Sequence, residues 1–219
     1  MESQVRGGTR WKRFAVVMVP SVAATAAIGV ALAQGALAAS FSVSGQQFKV
    51  TADQLEGWGF EQYGAVDSGY TLDGKQTAHP VAVSAFKDAK ITNLCQSVVT
   101  PIPVIGDVTL TLRAGGAGQP KVEAHNIYID VNDLKADATF DDIDIGVAAG
   151  QTGPNQGGKG PGMKGGGEQA NPYGFAQQAK HAVLSDVDQH AWATTAGTFT
   201  LSGLNMSLSK GANECQVKH

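Results

Sequence analysis

Between Val122 and Val147 the chain reads VEAHNIYIDVNDLKADATFDDIDIGV, with apolar side chains at alternate positions. Ile127, Ile129 and Val131 form one set, Leu134, Ala136, Ala138 and Phe140 a second, and Ile143, Ile145 and Val147 a third. A period of two puts successive side chains on opposite faces of a strand, so this run predicts β-structure with one buried face. A helix through the same residues would carry Asp137, Asp141 or Asp144 along its apolar stripe, where carboxylates are costly. The rhythm skips at Asn132-Asp133 and again at Asp141-Asp142. A two-residue hairpin loop or a β-bulge would each restore the phase.

The same spacing recurs along the chain: two apolar residues separated by two others, the second of which is Asp, Asn or Gly. It is present in Leu55-Glu56-Gly57-Trp58, Ile91-Thr92-Asn93-Leu94, Val131-Asn132-Asp133-Leu134, Phe140-Asp141-Asp142-Ile143, Leu184-Ser185-Asp186-Val187 and Leu201-Ser202-Gly203-Leu204. Asp, Asn and Gly accept turn and bulge conformations that other residues avoid. The intervals between the occurrences are irregular, which argues against a solenoid repeat.

The flanking segments follow the same logic. Phe41, Val43, Phe48 and Val50 read as a hairpin or an irregular strand pair around residues 44–47. Pro101 and Pro103 mark a corner or an edge, because proline has no N–H for a central ladder. Val108, Leu110 and Leu112 alternate, and residues 113–120 are a turn. Residues 150–174 are rich in Gly, Pro, Gln and Asn and predict a mobile loop. Asn171-Pro172 suggests a short helix over 174–180. Leu184 and Val187 resume the strand pattern, and Phe199, Leu201, Leu204, Met206 and Leu208 form a last strand pair. The expected fold is all-β: an antiparallel β-sandwich, or a curved elongated sheet of half-pipe or β-helix-like form, built as a single domain over residues 39–219.

Composition and charge add a compartment. Arg6, Arg10, Lys12 and Arg13 precede an uncharged, largely apolar run over residues 14–33, followed by Ala36-Leu37-Ala38. This is the layout of a secretory signal peptide, with cleavage between Ala38 and Ala39. The run is also long enough, at about 1.5 Å per residue, to cross a hydrocarbon core of about 30 Å as a retained anchor helix. In both readings residues 1–38 are the targeting or anchoring segment. The basic flank stays inside, and the remainder is secreted or held on the outer face of the cytoplasmic membrane. That remainder carries a formal charge of about −6 and no basic stripe, which argues against nucleic acid as a partner. Cys95 and Cys215 are the two cysteines, and in an exported chain they are expected to pair. Closing so long a loop contributes roughly 4–5 kcal/mol in the chain-entropy model.

Signs of reaction chemistry are sparse. There is no G-x-S-x-G elbow and no H-E-x-x-H. The histidines, His79, His125, His181, His190 and His219, are not spaced as metal ligands, and His125 and His190 read as polar-face residues. Asp130, Asp137, Asp141, Asp142 and Asp144 alternate along strand and read as a solvated face rather than a calcium site. Residues 153–159, GPNQGGK, nearly spell a phosphate loop, but Gly160 stands where the magnesium-binding hydroxyl belongs. No metal and no cofactor is implied. Trp58 and Trp192 are expected in the core, or else lining an apolar ligand groove.

RWKRFAVVMVPSVAATAAIGVALAQGALAASFSVSGQQFKV with ADQLEGWGFEQYG, and later LKADATFDDIDIG and FAQQA…AWATTAGTFTLSGL, resemble an actinobacterial, Streptomyces-type family of small exported proteins of no established function. Its members often carry the label cholesterol esterase. The resemblance covers most of the chain outside the Gly-rich stretch and implies an envelope or secreted protein, with no residue to carry over as catalytic. The expected function is therefore a non-enzymatic envelope protein that binds a lipid or other apolar ligand. A structural or interaction module of the cell surface, contacting a membrane or envelope protein, is the alternative, and a lipid esterase the second alternative.

Overall fold

Val122–Ala148 runs as one unbroken strand. The computed structural model of the chain describes residues 43–165 and 169–217, so residues 1–38 (expected to be the export segment), the Ala38/Ala39 junction, Phe41 and His219 lie outside the described residues. Eight strands run through the described part: β1 (Phe48–Tyr70), β2 (Gln76–Thr92), β3 (Leu94–Ile102), β4 (Gly106–Ala114), β5 (Val122–Ala148), β6 (Gln169–Ala170), β7 (Phe175–Thr200) and β8 (Asn205–Lys210). A straight strand of the length of β5 would extend about 90 Å, far beyond any shared core. The long strands must therefore coil, and their pairing shows the result. β1 pairs with β2, β2 with β5, β5 with β7 and β7 with β1, all antiparallel, so four strands close on themselves. β3 continues from β2 along the same edge of β1, and β4 and β8 extend it as a wing.

The phase skips are bulges and turns, not hairpins. The third place of the recurring spacing holds a positive φ at Asn93 (54°), Asp142 (55°), Asp186 (52°) and Gly203 (66°). Asn93 breaks β2 from β3, and Gly203 turns the chain between β7 and β8. At Val131-Asn132-Asp133-Leu134 the β5–β7 register shifts instead. In the first occurrence the irregularity falls at Gly59 (φ 66°), just beyond it. Each bulge adds local twist, but the buried face does not run the full length of β5: beyond Asp142, Ile143 and Ile145 are exposed.

Three local expectations change. Residues 175–180 are strand, not helix: Ala176 pairs with Tyr63 on one side and Val147 on the other. Helix propensity is a weak prior beside two ladders. Phe48 and Val50 open β1 rather than forming a hairpin of their own, and Val43 makes an isolated bridge to Gly69. Phe199 and Leu208 are on strands that do not pair with each other, since β7 ends against β5 and β8 lies on β4.

The main core sets large rings over small residues. Phe60, Phe86 and Phe140 lie across from Ala179, Ala182 and Gly57, with Leu55, Ile91, Ile127, Ile129 and Val187 filling between them. A Cβ on Gly57 would stand 2.2 Å from Phe86 Cδ1. The Cys95–Cys215 disulfide, Cα–Cα 6.0 Å, ties the C-terminal tail onto β3, where Cys215 N–H donates to Ser97 Oγ. Gly57→Ala should cost about 1–3 kcal/mol in urea unfolding, because the Phe86 ring packed on Gly57 would have to shift. Gly64→Ala, where an added Cβ meets nothing within 4 Å, should stay within about 0.5 kcal/mol. Equal effects at the two positions would contradict this packing.

Candidate functional site

The four-strand ring has an inside and an outside, and each carries a distinct set of groups. Inside lies a cavity of about 170 Å³ lined by Leu55, Phe60, Phe86, Ile129, Phe140 and Leu184, with Gln62, Ser84, Gln177 and Gln189 among them. All four ring strands contribute. A second void of about 30 Å³ lies beside the first, sharing Leu55, Ile129, Val187 and Gln189 with it and lined also by Leu94 and Phe199. β2 pairs with β5 only as far as Val131. Beyond that point Leu134, Ala136, Ala138 and Phe140 line the cavity while keeping part of their surface in solvent, which places the mouth along this half of β5.

A short polar chain crosses the apolar wall. Gln177 Nε2 donates to Gln62 Oε1 at 2.7 Å, and Gln62 Nε2 donates to Ser84 Oγ at 2.8 Å. The register brings these together, since Gln62 pairs with Ser84 on one side and Gln177 on the other. No histidine or carboxylate is among the residues lining this cavity. The site therefore offers carbon surface, amides and one hydroxyl: groups that cover an apolar body and hydrogen-bond a polar head.

On the outside, the Gly-rich segment lies as a strap across the sheet. Composition gave no apolar reason for it to order. Two 3₁₀ turns, at Ala149–Gln151 and Pro154–Gln156, and a series of polar contacts hold it instead. Gly160 sits directly over Glu61, so closely that a Cβ would fall 2.1 Å from Glu61 Oε2. Gly162 N–H donates to the same oxygen at 3.0 Å, Tyr128 Oη donates to the Gly162 carbonyl at 3.0 Å, and Lys164 N–H donates to Tyr63 Oη at 2.9 Å. Burial raises the Glu61 carboxyl above its ordinary value, against hydrogen bonds from Thr152 and Gly162 and the charge of Lys87. Lys159 closes the other end: its Nζ lies 2.9 Å from both Asp142 Oδ1 and Asp144 Oδ2, and its N–H donates to Gln178 Oε1 at 2.9 Å. The strap and the cavity share strands back to back. Phe60, Gln62, Ile129 and Gln177 face in, while Glu61, Tyr63, Tyr128, Asp130 and Gln178 face the strap.

The candidates read from the sequence are distributed as follows. Trp58 is 38% exposed and its ring sits 5.3 Å from His181, which bridges Glu56 and Asp141. Asp141 chiefly, then Glu56, raises the His181 pKa. Trp192 is half-buried on the strap side and stacks on His79 at 3.5 Å. Neither tryptophan is among the residues lining the two voids. Asp137, Asp141 and Asp142 are exposed as expected, but Asp130 is fully buried. Lys159 of the near-phosphate loop is bound to carboxylates. Among the described residues no three His, Cys, Asp or Glu side chains converge as a metal site. Sequence reasoning passed over Gln62, Ser84, Gln177 and Lys164. The signal was present for Gln62, because FEQY alternates two candidate faces and neither is wholly polar.

A model of a family of unknown function, DUF6230, matches residues 44–216, and the chain belongs to that family. Neither the curated proteins nor the solved structures yield a match. Among the described residues no helix is long and apolar enough to cross a membrane.

The strap's lysine tie has an acid limit. The Asp142 carboxyl is lowered to about 2 by hydrogen bonds from Lys180 first and Lys159 second, and Asp144 is lowered chiefly by Lys159. A carboxyl whose folded pKa lies below its unfolded value adds stability that is complete above that unfolded value and is lost as pH falls through the folded one. Melting temperature should therefore drop between about pH 4 and pH 2, and the drop should be shallower in Lys159→Met. An acid limb unchanged by that substitution would count against the tie.

Proposed function

We propose that this member of the DUF6230 family is an exported, non-enzymatic protein of the cell envelope whose ring holds an apolar chain, such as the acyl tail of a lipid. The cavity carries the reading. An engineered cavity of about 150 Å³ lined by Leu, Ile and Phe binds benzene-sized ligands. The present space is of that order at about 170 Å³, with a second void of about 30 Å³ beside it. Drug-sized ligands occupy roughly 300–1,000 Å³, so a single unbranched chain fits the dimensions better than a sterol ring system. The Gln177–Gln62–Ser84 chain supplies polar groups at one wall, suited to a carboxyl or ester head entering through the mouth. Export rests on the basic, apolar and A-x-A layout at the N-terminus.

A second reading, a cell-surface interaction module, draws on the wing. β8 is the terminal strand of the sheet, and Leu110, Met206 and Leu208 leave an apolar row in solvent beside it. An open strand edge is a template for pairing with a partner strand. Concentration-dependent association in light scattering favours this reading, and a strictly monomeric chain removes it.

The groove reading is tested by titration with a medium-chain fatty acid under native mass spectrometry. One molecule should bind. Ala138→Trp, placed at the partly exposed mouth where the fold does not depend on a small side chain, should weaken binding by about tenfold or more, that is by about 1.4 kcal/mol. No bound species in the parent chain, or equal binding in the variant, would overturn it.

A further inference from the structure

The strap covers a group of side chains that the groove does not use. Lys164 Nζ lies 3.0 Å from Asp130 Oδ2, with the two side chains 12% and 1% exposed. Asp67 is nearly buried close by, where the charges of both Asp130 and Lys164 act on it. Asp130 Oδ1 and Asp67 Oδ2 are buried and have no hydrogen-bond partner. Burial, with the Asp130 charge next, pushes Asp67 up to about 6. The surroundings are aromatic and aliphatic: Tyr63, Ala65, Val81, Val83, Tyr128 and Trp192. The hydrogen bonds at Lys164 N–H and Gly162 C=O pin the strap on either side, so the lysine cannot withdraw without breaking them.

Removing two charges from water is costly, and an ion pair in such a place recovers that cost only partly. A neutral amide removes both charges. Amine and carboxyl are already held side by side, Nζ 3.0 Å from Oδ2, and such placement lowers the barrier relative to free reactants. We propose that Lys164 and Asp130 are joined by an isopeptide bond that forms within the folded chain, with Asp67 as proton shuttle. The ammonium first passes a proton to the carboxyl pair. The free Nζ then attacks Asp130 Cγ, forming the N–C bond. Asp67 takes the second amine proton and returns a proton to the departing Asp130 oxygen, the C–O bond breaks, and one water leaves. No oxidant and no further reactant is needed. The product ties the strap to β5 covalently, independently of what the groove holds.

Tryptic mass mapping of the purified full chain tests this directly. Cleavage follows Lys121, Lys135, Lys159 and Lys180. The expected product is residues 122–135 joined to residues 160–180, lighter than their sum by one water, with Lys164 uncut. Fragmentation should place the link on Asp130 and Lys164. Lys164→Arg should abolish the species. Asp67→Asn, which keeps the shape of the site but cannot shuttle the proton, should give a folded chain, judged by circular dichroism and an intact disulfide, with the link lost. Cleavage after Lys164 in the parent, with both peptides at unmodified mass, would show an ordinary ion pair and overturn the proposal. A link that forms equally well in Asp67→Asn would overturn the shuttle.

Discussion

Each of the four long strands must satisfy two edges and two faces at once, and the bends that permit this sit at a few backbone positions. β1 gives one edge to β7 and the other to β2 and β3, and β5 gives one to β7 and the other to β2. Flat strands of 17 to 27 residues could not do so. Left-handed backbone at Gly59, Asn126, Asp142 and Asp186 adds the twist that lets the strands wrap a common interior. Asn and Asp occupy these sites at small energetic cost because a short polar side chain tolerates φ > 0.

Closure has chemical consequences on both sides of the ring. Inside, coiling leaves apolar space that no side chain fills, crossed by one chain of amides. Outside, carboxylates that would otherwise face water are roofed by a strap with little apolar content. Its order comes from charge and from close backbone approach: two lysines engage Asp130, Asp142 and Asp144, and a glycine rests on Glu61. The same strand segments serve both sides, so anything that shifts the strap bears on the cavity wall behind it.

Much of the fold was legible in the sequence because alternation is a local signal. The run from Val122 to Val147, the proline corner near Pro101 and the Cys95–Cys215 pair all follow from spacing and residue type. The spacing shared by Ile91–Leu94 and Leu184–Val187 also marked a real strand break at Asn93 and a real irregularity within β7 at Asp186. Ring closure was not legible, since it depends on which edges meet across more than a hundred residues. Nor was the order of residues 149–165, because composition counts apolar area and the strap is held by Lys159, Lys164 and backbone N–H groups. The burial of Asp130 was hidden for the same reason: alternation marks a polar face but not what later lies over it. The cavity residues Gln62 and Gln177 were masked because glutamine on a strand reads as solvent-facing until a third strand is placed beside it.

The central claim is that the inside of the ring is a binding space. Methyl-resolved NMR of the chain during titration with a medium-chain fatty acid tests it most directly. The account predicts saturable shifts at Leu55, Ile129, Leu184 and Val187, with little change at Leu110 and Leu208 on the wing. Shifts confined to the wing, with the interior methyls unmoved at saturating ligand, would contradict it.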